Sequence, residues 1–231
     1  MGQIVEFASN GGICEGYLAL PEGAEPDTAP GVVVIQEWWG MVPHIRHMAD
    51  RFAAEGFVAL VPDFYRGVRT TEPDEAAKLM MGLDVGKAAL DIAGAAEYLH
   101  ALPLTTSGHV GAVGFCMGGG LALLAPTVSE RITATSGFYP ATPWPDYRPE
   151  WSRYRGRSAQ IHCSEDDGTS AAEGIQQMVD AIATAGGQVE TFDYPGSHHA
   201  FANDDRPEVY NAAHADAALT RTWEFLRRSL A

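Results

Sequence analysis

Basic residues are scarce in this chain. Lys and Arg number 15 against 30 Asp and Glu, a formal net charge of −15 at pH 7. Nucleic-acid phosphates and anionic lipid headgroups are gripped by clustered cations, so neither nucleic acid nor a membrane surface is an expected partner. Cysteine is scarce too. Cys14, Cys116 and Cys163 contain no C-x-x-C pair, and an odd number makes a poor disulfide framework. No apolar run approaches the roughly 18 residues that cross a bilayer, and the first residues show no signal-like pattern. These absences predict a cytoplasmic protein whose thiols stay reduced. Metal ligation also lacks its usual signature. His44 and His47 lie three apart, but no acidic or Cys partner follows at ligand spacing. Both are therefore read as surface histidines, and no metal or other cofactor is expected.

What remains is ordinary globular material. At 46% apolar and 19% charged residues the chain can bury a sizeable core and gives no ground for disorder. With no internal repeat and no linker-like stretch, residues 1–231 are expected to form one domain.

Two strands are expected over 3–8 and 13–20, around the turn signal Asn10-Gly11-Gly12. Gly31 to Ile35 is a continuous apolar run, the pattern of a strand covered on both faces in a parallel sheet. A helix over 44–55 places Ile45, Met48, Ala49 and Phe52 on one side, and Phe57 to Val61 is the next strand. Helices are expected over 74–81 and 84–101, strands over 132–138, 159–163 and 188–194, and further helices over 170–185 and 210–226. Strands alternating with helices after an antiparallel start predict an α/β three-layer sandwich with a mostly parallel sheet. The loop over 139–154, rich in Pro and aromatic residues, reads equally as a pocket wall or a packed surface loop.

The chemistry centres on residues 109–120, His-Val-Gly-Ala-Val-Gly-Phe-Cys-Met-Gly-Gly-Gly. A β-prone run, a sharp Gly-x-Cys-x-Gly turn and an apolar helical segment form the context of a nucleophile elbow. The nucleophile occupies a strained turn, and a side chain at Gly114 or Gly118 would collide with the neighbouring strand or helix. Here the nucleophile would be Cys116. A cysteine nucleophile needs a base and an orienting acid, each at a strand end. Strand 159–163 leads into Glu165-Asp166-Asp167, and strand 188–194 into Ser197-His198-His199. The order nucleophile, acid, histidine is that of α/β-hydrolases. Glu37 would sit at the carboxyl end of the strand 31–35, between that strand and two tryptophans, where open α/β sheets gather their ligand sites.

Taken together, Gln36-Glu37-Trp38-Trp39-Gly40, Val61-Pro62-Asp63-Phe64-Tyr65, the Gly-Phe-Cys-Met-Gly-Gly elbow, Glu165-Asp166-Asp167 and Tyr194 to Phe201 resemble the dienelactone hydrolases, a family of α/β-hydrolases. The resemblance covers most of the chain. It implies Cys116 as nucleophile, Asp167 rather than Asp166 as the acid, and His199 rather than His198 as the base. It also implies that Glu37 hydrogen-bonds the resting thiol, and that the backbone N–H groups of Trp38 and Met117 form the oxyanion hole. The implied activity is hydrolysis of a small activated ester or lactone by a monomer or homodimer. Members acting on a carboxylate-bearing lactone place one arginine in the helical segment before the elbow and another shortly after the histidine. Here residues 72–81 contain no arginine and the position four after His199 is Asn203, so Arg66, Arg69 and Arg206 are the candidates for a displaced anchor. Glutamine amidotransferases also use a cysteine elbow, but their acid lies two residues from the histidine, and residue 201 is Phe. The non-enzymatic alternative is a hydrolase-like fold that binds a ligand or senses redox state through Cys116. An intact acid and histidine weigh against it, because a sensor needs only the thiol.

Overall fold

Eight strands form one sheet in the order β1-β2-β4-β3-β5-β6-β7-β8. The computed structural model describes residues 2–231, without the side chains of residues 107 and 168–170. Strands β1 (Gln3–Ser9) and β2 (Gly12–Ala19) pair antiparallel, and β2 pairs antiparallel with β4 (Val58–Pro62). Asn10 and Gly11 close the hairpin with φ of 51° and 71°, the left-handed values a two-residue turn of this kind requires. The remaining strands run parallel: β3 (Ala29–Ile35), β5 (Thr105–Phe115), β6 (Ile132–Phe138), β7 (Ser158–Ser164) and β8 (Gln188–Tyr194). The expected α/β-hydrolase architecture is the one observed.

Strand β3 starts two residues before the expected Gly31 because Pro30 falls at a register irregularity between Ala29 and Gly31. A proline has no ladder donor and is tolerated in a strand where pairing is already broken. Strand β5 is correspondingly longer, since Ala29 reaches back to Thr105. Residues Val32 to Ile35 are fully buried, as their unbroken apolar pattern requires of a central strand. Each such side chain contributes about 1.5–3 kcal/mol by leaving water.

Helices α1 (Pro43–Ala54) and α6 (Ala212–Ser229) cover one face of the sheet. They are joined by Arg51 with Asp216, Arg227 with Glu55, and the edge-on rings of Phe52 and Trp223. Helices α3 (Val85–Ala101), α4 (Met117–Leu124) and α5 (Gly168–Thr184) cover the other, and α2 (Pro73–Met81) lies near the carboxyl ends of the strands. Pro43 and Pro73 open their helices where an N–H would be orphaned anyway, and the Asp84 and Asn211 side chains cap α3 and α6. No helix among the described residues is long and apolar enough to cross a membrane.

The surface reading of the two histidines fails for one of them. His44 is 2% exposed and its Nδ1 lies 2.9 Å from Asp204 Oδ1, whereas His47 is exposed. The partner arrives from 160 residues away in sequence, so no local spacing could reveal it. Below the site a second buried histidine, His162, bonds Tyr194 through Nδ1 and Thr222 through Nε2, tying β7 to β8 and α6. Burial, with Arg221 nearby, pushes its pKa down to about 3, so the ring is neutral and costs no buried charge.

Candidate active site

The chain leaves β3 for β4 on one side and later places β5 on the other. Their carboxyl ends therefore flank a topological switch point, where a crevice opens in sheets of this kind. Cys116 stands there between β5 and α4 with φ 55° and ψ −119°, a backbone conformation that non-glycine residues rarely adopt. Its N–H donates to Phe138 O at 3.0 Å, and its carbonyl accepts from Gly119 and Ala141, each at 2.9 Å. The glycines on either side have no room for a side chain. A Cβ on Gly114 would overlap the Gly118 carbonyl, and one on Gly118 would overlap the carbonyls of Ile35 and Gln36.

Two acid–histidine pairs approach this turn. His199 Nδ1 lies 2.6 Å from Asp167 Oδ1, and the Ser164 hydroxyl donates to the other oxygen of Asp167. Nδ1 being taken by Asp167, Nε2 is the ring nitrogen left for chemistry, and His199 lines one cavity with Cys116. His198 pairs instead with Asp166, and both are exposed. Asp166 also accepts the His199 backbone N–H at 2.9 Å, so the outer pair clamps the loop that carries the inner one. Burial opposes a charged His199, but hydrogen bonds to Asp167 and Cys116 and the charges of those groups prevail, raising its pKa to about 10.

Glu37 projects from the loop after β3 and is 2% exposed. Its Oε2 accepts from Asn203 Nδ2 at 2.6 Å, and its Oε1 from the Tyr139 hydroxyl at 3.5 Å. Glu37, Trp38, Trp39, Met80, Cys116, Ala141, His199, Ala200 and Arg206 line a cavity of about 200 Å³. A larger hollow of about 510 Å³ between β7, β8 and α5 touches Asp167 but reaches neither Cys116 nor His199, both of which line the smaller one. Met117 is the first residue of α4, where a backbone N–H has no intrahelical acceptor. Among the described residues the Trp38 N–H donates no backbone hydrogen bond either.

Of the three candidate arginines, Arg206 alone lies in the cavity wall. Arg66 is engaged with the buried Asp91 at 2.7 Å, and Arg69 is exposed. The aromatic loop after β6 divides. Ala141 forms cavity wall and Trp144 Nε1 bonds the Met80 carbonyl at 3.2 Å, while Tyr154 is buried against Leu123 and Thr135. Two site residues escaped the sequence reading. Tyr139, with φ 37°, packs its ring edge-on at 5.0 Å from His199; its position directly after a strand end was the available signal. Burial, with the charges of Glu37 and Cys116, pushes its hydroxyl well above the usual range. Asn203 had no signal beyond standing where an arginine was sought.

The model of the dienelactone hydrolase family matches residues 14–230. The chain belongs to that family. A relative from Aquifex pyrophilus, the protein named usf, is 32% identical over 100% of both chains. A protein of Aquifex aeolicus, named as a candidate carboxymethylenebutenolidase, is 31% identical over 100% of both. Among solved structures, a dienelactone hydrolase-like promiscuous phosphotriesterase from metagenomic libraries superposes with a TM-score of 0.86. It is 20% identical and covers 100% of this chain and 99% of its own, a likeness of fold. The chain is thus a dienelactone hydrolase-like hydrolase.

Proposed function

We propose that the protein hydrolyses a small activated ester or lactone, in the manner of a carboxymethylenebutenolidase, through Cys116, His199 and Asp167. The observation that carries this reading is His199, bonded through Nδ1 to Asp167 at 2.6 Å and lining one cavity with Cys116. His199 takes the thiol proton and the sulfur attacks the carbonyl carbon. The resulting oxyanion is received by the N–H groups of Trp38 and Met117. The C–O bond breaks, the leaving oxygen takes the proton from His199, and a thioester remains. Water then attacks the thioester and gives a proton to His199, the acid product departs, and the proton returns to sulfur. Asp167 holds the ring in the tautomer these transfers need. Glu37 governs how readily the thiol gives up its proton. A thiolate is itself a good leaving group, so activated esters and enol lactones suit this nucleophile and ordinary amides do not.

The direct test is to trap the acyl group. The protein is incubated with an activated phenyl ester, quenched in acid and digested, and the peptides are weighed. An acyl adduct on the Cys116 peptide is the expected result. An adduct only on another residue, with turnover intact, would overturn the assignment.

The cavity is small and walled by Trp38, Trp39, Met80, Ala141 and Ala200, with Arg206 as its cation. This suits a compact, partly apolar ring bearing a carboxylate. Arg206→Ala is expected to raise KM for a carboxylate-bearing lactone by about tenfold, the scale of one charge-assisted hydrogen bond. KM for a neutral ester should stay within a factor of two to three, as steady-state kinetics on both substrates would show. Equal effects on the two substrates would remove Arg206 from substrate recognition.

A further inference from the structure

The loop that carries His199 returns past Glu37, and Asn203 is the residue that meets it. The Asn203 amide is oriented from both ends. Its Oδ1 accepts the Asp205 N–H at 3.1 Å, which turns Nδ2 toward Glu37 Oε2 at 2.6 Å. Both side chains are buried, each on a residue 2% exposed. The loop itself is pinned. Asn203 N–H donates to Ala200 O at 2.9 Å, Asp204 bonds the buried His44 at 2.9 Å, and Asn211 N–H donates to Phe201 O at 2.9 Å. Because an amide N–H needs an acceptor, this contact aims Oε2 at Asn203.

We propose that Asn203 is a positioning residue that latches Glu37 away from the Cys116 thiol, leaving His199 as the acceptor of the thiol proton. The inference rests on the reading of Cys116 as the nucleophile and deepens it. With the latch closed, Glu37 is occupied by Asn203 and Tyr139, and His199 shares the cavity with Cys116. Loss of the Asn203 donor leaves a buried carboxylate oxygen unsatisfied, and such an oxygen seeks another donor. The thiol of Cys116, in the same cavity, supplies one. Glu37 then competes with His199 for that proton. The other titratable or charged groups facing the thiol and Glu37 are Tyr65 after β4, Tyr139 after β6, Asp167 after β7, and Arg206 beyond β8.

The test reads the thiol directly. The rate of Cys116 alkylation by iodoacetamide is measured across pH, with peptide mass spectrometry identifying the site. Burial pushes Cys14 up to about 11 and Cys163 to about 12, so both react slowly. Asn203→Leu is expected to raise the midpoint of the Cys116 profile by about one pH unit, a tenfold slower reaction below it. Asn203→Ala, which also lacks the donor and adds no charge, is expected to shift it the same way and serves if the leucine variant fails to fold. In a Glu37→Gln background the same changes at position 203 should move the midpoint no further. A profile unchanged by either substitution, or a shift that persists without the Glu37 carboxylate, overturns the latch. Alkylation requires no ester, so failure of the protein to hydrolyse any substrate would remove the nucleophile reading and leave this result to be judged separately.

Discussion

Cys116→Ala is expected to lower kcat/KM on an activated aryl ester at least ~10⁴-fold, to the level of the uncatalysed reaction plus whatever the oxyanion site alone supplies. The size of the loss follows from the geometry. His199, Asp167 and the two backbone N–H groups would all remain, but none can form the covalent bond that divides the hydrolysis into two easier steps. His199 would then have to activate water directly against the ester, from a position set by its contact with Cys116. Alanine retains the Cβ and the same backbone preferences, so the strained φ of 55° costs the variant no more than the native residue, and stability should hardly change. Initial rates on the ester, alongside thermal melts of both proteins, check the two halves of the prediction. An activity within tenfold of the parent, in a variant that melts at the parent temperature, would exclude Cys116 as nucleophile.

How much of this was legible in the residues depends on distance along the chain. Elements announced by local pattern were readable to within a few positions, because hydrophobic period, proline and glycine act over one or two turns. Strand β6 matches its expected bounds, α2 and α3 differ by a residue at one end, and α1 by a residue at each end. Cys116 and His199 line one cavity and Asp167 bonds His199, since each follows a strand whose carboxyl end a parallel sheet must bring to one edge. What the pattern could not show were contacts between loops from different strands. Asn203 on Glu37, Tyr139 beside His199 and His44 on Asp204 each join residues tens to more than a hundred positions apart. Their partners are chosen by the packed sheet, and no periodicity records that choice. Burial likewise separates Asp167–His199 from Asp166–His198, two pairs of the same chemical types one position apart.

That separation yields a second large effect. Asp167→Asn is expected to reduce kcat by ~10³–10⁴-fold, because an amide in place of the carboxylate can present an N–H to Nδ1 and favour the wrong tautomer of His199. Asp166→Asn should cost less than about tenfold, since its side chain meets the exposed His198 and only the backbone of His199. The pH profile distinguishes the roles independently of rate. In the parent, burial opposes a charged His199 but hydrogen bonds to Asp167 and Cys116 and the charges of those groups raise it to about 10, so the ring, once it has taken the thiol proton, holds it until pH rises through that value. With Asp167 neutralised, a raising hydrogen bond and a raising charge are both lost while burial persists, so the pKa must fall toward the ordinary histidine value of about 6.5. The alkaline limb of the kcat/KM profile, where the leaving oxygen loses its proton donor, should therefore move to lower pH in Asp167→Asn and stay in place in Asp166→Asn. If instead Asp166→Asn moved the limb and Asp167→Asn left it fixed, the outer pair would be the working one, and the bond between His199 and Asp167 would be structural.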